Sequence, residues 1–248
     1  MREKKEQMPI THFTFNFNHF LNMCSEQGKT STLKAGMELA SGPFMSFKPM
    51  SGICESFCGI HPYSNDMNRQ VIAYHYCHLI DEDRRQCLVY DSDSVDAKLI
   101  AVEYIISETL FKSLPEKEKK FWHSHKYEVQ SGMLCMTGKS MVPDAVTSSA
   151  EKPPLEILVN TYGKTWQLWP VDDNGNCSSK VPLGPPQLLM SFTADGQVRP
   201  EIIDRRDKQM GISTQKKREE RKDIKGNPVA EGADQWEKGN AFQIPADI

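Results

Sequence analysis

The polar tetrapeptide Asp81-Glu82-Asp83-Arg84 lies between two runs rich in Val, Ile, Tyr and Cys, residues 69–80 and 85–91. No other feature constrains the fold as much. Two such runs around a short acidic turn predict a β-hairpin, and with it an antiparallel sheet. On a strand, His75 and Cys77 share one face while Tyr76 and His78 share the other. On a helix, His75 and His78 instead lie together. The two geometries offer different histidines to any site.

Residues 99–106 are dominated by β-branched side chains and read as a buried strand. Apolar spacing predicts a helix over residues 32–40, with Leu33, Met37 and Ala40 on one face. Ile53, Phe57 and Ile60 predict a second helix, stopped by Pro62. Pro115 opens a helix to about Trp122, which delivers His123 and His125 at its C-terminal end. Residues 126–136 read as a strand, 141–154 as a Pro/Ser/Thr loop, and 155–162 as a helix capped by Gly163. Strands are expected over 165–171 and 187–193, with a turn at 172–176. Pro200 opens a helix to about Met210, closed by Gly211, and the mixed charges after Ser213 suggest a salt-bridged helix.

The sum is an α+β fold: a single domain over residues 28–223, with a mainly antiparallel sheet packed by helices. A poorly ordered arm is expected over residues 1–27, where Phe13, Phe15 and Phe17 alternate, and a polar tail over 224–248.

A net charge of −3 argues against a general nucleic-acid binder. No stretch approaches the roughly 20 apolar residues that span a bilayer, so any lipid contact is expected to be peripheral. The seven cysteines are irregularly spaced, and the polar N-terminus lacks a secretory apolar region. Free thiols in a reducing, cytoplasmic setting are therefore expected, acting as small buried hydrophobes, although Cys77 and Cys87 can face one another across the hairpin.

The residue types suited to metal binding gather in two clusters, His75-Tyr76-Cys77-His78 and Trp122-His123-Ser124-His125, with Glu128 close behind. Imidazole with carboxylate suits zinc, iron, manganese or nickel, so His75 or His78, His123, His125 and Glu128 form the candidate metal set. The His-x-His then Glu pattern is similar to the metal motif of cupin barrels, with a shorter spacing to the Glu. The bland reading makes these histidines caps at a helix C-terminus. Ser107 and Ser191 lack a nucleophile elbow, and Gly36, Gly42 and Gly52 form no phosphate loop. Leu33, Met37 and Ala40, followed by Phe44, Met45 and Phe47, offer an apolar face to a phospholipid monolayer or to the sheet.

A resemblance adds to this reading. His75-Tyr-Cys-His78 and residues 85–91 (RQCLVYD) closely resemble the plant and fungal oil-body-associated protein family. Residues 102–108 (VEYIISE), 110–115 (LFKSLP), 121–132 (FWHSHKYEVQSG), 158–166 (LVNTYGKTW), 182–190 (PLGPPQLLM) and 191–201 (SFTADGQVRPE) continue it. The resemblance spans roughly residues 31–236, apart from the insert-like stretch 137–153. It implies a soluble protein at the surface of oil bodies or lipid droplets that supports their formation or stability, and it carries over no established reaction. With no recognisable catalytic constellation a non-enzymatic role is expected, the alternative being a metal-binding protein or metal-dependent enzyme with the His/Glu site. Its partners would be the droplet surface or the proteins on it.

Overall fold

The computed structural model describes residues 32–138, 142, 144–172, 176–240 and 242–245. The arm expected over residues 1–27 lies outside the described residues. The chain divides into two units, Met1–Ser46 and Phe47–Ile248. In the first, α1 (Thr32–Ser41) is followed by a 3₁₀ turn, Gly42–Phe44.

In the second unit the acidic turn closes a long hairpin. Strand β1 (Ile53–Tyr63) pairs with β2 (Asp66–Asp81), which pairs with β3 (Arg84–Tyr90), all antiparallel. Then β4 (Leu99–Ser107), β7 (Thr161–Gln167) and β8 (Gln187–Leu189) continue the sheet, and β8 returns to β1 at Tyr63–Leu189. The sheet thus closes on itself as an antiparallel barrel. Two short strands are added: β5 (His123–Ser124) on β7 and β6 (Cys135–Met136) on β1. Helices and antiparallel strands match the expected α+β content; closure into a barrel was not anticipated. Alternation along a single strand carries no record of which other strand it will meet.

Four local expectations are corrected. Residues 53–60 belong to strand β1 rather than a helix, because Phe57–Tyr63 is buried on both faces and the apolar alternation disappears. Phe57, Gly59, His61 and Tyr63 face the barrel interior, while Cys58 and Ile60 pack outside against Phe192 and Ile202. Each such fully buried aliphatic side chain contributes roughly 1.5–3 kcal/mol. Short helices α2 (Glu108–Ser113) and α3 (Glu116–Lys119) follow β4, and residues 126–136 form helix α4 (Lys126–Gln130), a turn and β6 instead of one strand. The expected loop at 141–154 is largely helix α5 (Asp144–Leu158), which contains Pro153 and Pro154. Gly163 lies inside β7 and caps no helix.

Two further outcomes bear on the interior. Cys77 and Cys87 stand opposite in register, 4.1 Å apart at Cα, and are joined as a disulfide, where free thiols were expected. Cys54, Cys58, Cys135 and Cys177 are free. The segment from Ile224, expected as a polar tail, buries Ile224, Ala230, Ala233 and Asp234. Helix α6 (Pro200–Met210) runs as expected and ends at Gly211 with φ of 66°, followed by α7 (Thr214–Glu220).

Candidate functional site

Inward-facing residues of four strands bring imidazoles and carboxylates to one level of the barrel. His61 comes from β1, His75 from β2, Glu103 from β4, and His123 from β5. His125 follows β5 immediately, and Glu128 sits one helical turn on, within α4. All six are at most 3% exposed. All of them but His123 line, with Phe57, Cys77, Ile105 and Leu134, a space of about 20 Å³, roughly one water's worth.

Glu103 is the hub. Its Oε2 lies 3.2 Å from His75 Nε2; its Oε1 lies 3.3 Å from His123 Nε2 and 3.5 Å from His125 Nε2. His61 Nε2 is 3.2 Å from His75 Nε2. Glu128 Oε1 is 3.8 Å from His61 Nδ1. Even so, Glu103 Oε1, Glu128 Oε1, His75 Nδ1 and both ring nitrogens of His123 make no hydrogen bond. Buried polar atoms without partners cost about 1–3 kcal/mol each.

Two of the rings are aimed by neighbours behind them. His61 Nδ1 is 2.9 Å from the Met190 carbonyl, so it carries the proton and leaves the Nε2 lone pair facing inward. Thr161 donates its hydroxyl to the Leu158 carbonyl, so its oxygen accepts from His125 Nδ1 at 2.8 Å. The His125 Nε2 lone pair is thereby turned toward Glu103.

The electrostatics follow from burial and from one carboxylate. Burial pushes the His61 imidazole down to about 3, which keeps it neutral. Burial also works against charged His75 and His123, but Glu103 outweighs it and raises both. Burial opposes ionised Glu103, yet His123, His125 and His75 hold its carboxyl well below the usual carboxylate range. Burial raises Glu128.

Of the residues singled out from the sequence, His75, His123, His125 and Glu128 converge here. His78 does not. It points to the opposite face of β2, where its ring packs over Gly52 and its Nδ1 lies 3.4 Å from Gln86 Nε2. The helix-cap alternative also fails to describe His123 and His125: the helix α3 (Glu116–Lys119) ends before them, and His125 makes no side-chain capping bond to α4. The sequence reading missed His61 and Glu103. Glu103 had a usable signal, as a lone carboxylate in a run otherwise read as a buried strand. His61 had one only once residues 53–63 are known to be extended.

Two groups hold the site from outside. Ser124, between the two histidines, donates its N–H and hydroxyl to Asp234 at 2.9 and 2.7 Å. The turn after Glu128 is clamped by Arg221, which donates to the Val129 and Leu134 carbonyls, and by Arg206, which donates to that of Met133.

Fold and site together define a closed antiparallel barrel with a buried imidazole–carboxylate cluster near its centre. Residues 47–225 match the family described as Protein of unknown function (DUF1264). The chain is 44% identical to Oil body-associated protein 1A of Zea mays over 197 residues, 79% of this chain and 78% of that one. It is 38% identical to Oil body-associated protein 1B of Arabidopsis thaliana over 208 residues, 82% of each. With Oil body-associated protein 2B of Arabidopsis thaliana the identity is 38% over 221 residues, 87% and 85% of the two chains. This chain belongs to the oil body-associated protein family. No solved structure matches it.

Proposed function

We propose that the chain associates peripherally with the surface of oil bodies, or lipid droplets, from the cytoplasm and supports their formation or stability without catalysing a reaction. The observation that carries this reading is the identity to oil body-associated relatives over most of both chains. Among the described residues no helix is long and apolar enough to cross a membrane, so helical attachment would be from the surface. Phe44 is 89% exposed in the first unit, and Phe47 is 61% exposed at the start of the second. Aromatic side chains of this kind suit the boundary between headgroups and acyl chains. The non-enzymatic part rests on the barrel interior, where the space beside the histidines would admit a water-sized occupant but no organic substrate.

Flotation tests this reading. Purified full-length protein is mixed with triolein droplets coated with phosphatidylcholine and centrifuged through a density step. It is expected to rise with the droplets, and Phe44→Ser with Phe47→Ser to stay below. Protein that remains wholly in the aqueous layer would overturn direct surface binding.

A further inference from the structure

We propose that the barrel holds one divalent first-row transition-metal ion, bound by Glu103, His123 and His125 and completed by His61 and His75. This goes beyond association with lipid, and it stands on the geometry and charge of the cluster. Two sets of ligand atoms, those of His61, His75 and Glu103 and those of Glu103, His123 and His125, each lie within 4.8 Å of one another, and Glu103 belongs to both.

The spacing is that of ligands around an ion. Atoms bound at about 2.1 Å to one tetrahedral or octahedral centre are separated by roughly 3.0–3.4 Å. The four Nε2 and carboxylate contacts measure 3.2, 3.2, 3.3 and 3.5 Å. Hydrogen bonding accounts for the His61–His75 contact but not for those made by Glu103 Oε1. Glu103 Oε1 and His123 Nε2 are 3.3 Å apart yet form no hydrogen bond, and the lone pair of His125 Nε2, fixed by Thr161, faces that same oxygen. Two acceptors aimed at each other in a dry interior repel; a cation between them reverses the sign. The carbonyl of Met190 behind His61 and the hydroxyl of Thr161 behind His125 are the supports that metal-bound imidazoles ordinarily have.

Charge and size select one ion. Glu103 supplies one negative charge, Glu128 beside it a second when ionised, and the neutral imidazoles none, so a single divalent cation would balance the buried set. The space beside His61, His75, Glu103 and His125 admits about one water-sized body, in keeping with that number. A nitrogen-rich set excludes calcium and magnesium as the natural occupants and suits zinc, iron, manganese or nickel.

Gly163 gives the proposal its sharpest test. It lies opposite His123 and Ile105 in the sheet. A Cβ there would stand 2.2 Å from Glu103 Oε1, 2.6 Å from His123 Nε2 and 2.7 Å from His125 Nε2. The three ligand atoms thus converge on the space that the missing side chain leaves open. Gly59, on β1, lines the same interior, but a Cβ there would meet only Leu134, His61 and His75 at 3.5–3.8 Å, ordinary contact.

The experiment uses tag-free full-length protein, stripped with chelator, reloaded with Zn²⁺ or Co²⁺, desalted, and analysed for metal and for melting temperature. Wild type and Gly59→Ala are expected to retain about one equivalent and to melt higher when loaded. Gly163→Ala and the isosteric Glu103→Gln are expected to bind about tenfold or more weakly and to melt at the same temperature with and without metal. Should Gly163→Ala fail to fold, Glu103→Gln carries the same readout. Wild-type protein that retains no metal after reloading would overturn the proposal. So would two equivalents per chain, or Gly163→Ala binding as tightly as wild type.

Discussion

Asp234 holds Ser124 by both of its donors, the backbone N–H at 2.9 Å and the hydroxyl at 2.7 Å. Asp234 itself takes φ of 53°, a left-handed conformation that Asp tolerates better than most residues, and donates its own N–H to the Trp122 carbonyl. A segment far along the chain therefore fixes the short strand from which His123 and His125 project.

Asp234→Ala leaves the Ser124 donors without their acceptor and should cost about 2–3 kcal/mol. Urea denaturation measures the loss, and hydrogen exchange at the Ser124 amide should quicken. An unchanged midpoint together with unchanged exchange would show that the C-terminal segment does not position the strand.

Glu151 is the shared acceptor of a second buried network. Lys217 and Arg221 donate to its Oε1 at 2.9 and 2.7 Å, and the Met136 N–H donates to its Oε2 at 3.0 Å. Removing it takes the carboxylate from two buried cations, although Lys217 keeps Ser148 and Arg221 the Val129 and Leu134 carbonyls, so Glu151→Ala should lose about 3 kcal/mol in thermal or urea melts. Because Arg221 also clamps the turn after Glu128, the variant should hold metal more weakly too. A loss below about 1 kcal/mol, the scale of an exposed pair, would contradict this.

How much of this was legible depended on whether the signal was local. The hairpin around Asp81–Arg84 and the strand at 99–106 were readable from β-branched and aromatic runs beside turn residues. So was the helix from Pro200 to Met210, whose proline and left-handed glycine mark its two ends. Strand β1 was not, because its buried outer and inner faces erase the period of two and leave Ile53, Phe57 and Ile60 at helix-like spacing. Pro153 and Pro154 suggested a loop, although they lie within a helix. In the site, histidines clustered in sequence drew notice, while His61 and Glu103 stand alone on separate strands that only barrel closure brings together. His78 was a candidate by its nearness in sequence to His75, but three positions along a strand reverse the face.

The pH dependence of stability should differ in sign between stripped and loaded protein. His75 and His123 are raised above their unfolded value by Glu103. Their stabilising contribution is complete below that value, near 6.5, and is lost as pH rises through the folded pKa. His61, pushed down to about 3, acts only below 6.5, where stability falls as pH falls. Chelator-stripped protein should therefore become less stable from about pH 6.5 upward. Loaded protein should become more stable over the same range, because protons compete with metal for the imidazoles. Melting curves across that range decide it, and parallel slopes would contradict the assignment.

The bridge between Cys77 and Cys87 closes a loop of sequence separation 10. A loop of that size restricts the unfolded chain by about 2–3 kcal/mol. Non-reducing peptide mapping should recover the linked pair, and Cys77→Ala with Cys87→Ala should lower stability by that order. Recovery of both thiols free from gently prepared, unreduced protein would count against the bridge.

The most direct measurement is an anomalous-difference map from crystals of the loaded protein, collected at the absorption edge of the added metal. One strong peak is expected inside the barrel, about 2.0–2.2 Å from Glu103 Oε1, His123 Nε2 and His125 Nε2. A peak at His78 or elsewhere on the surface, with none among those three atoms, would contradict it.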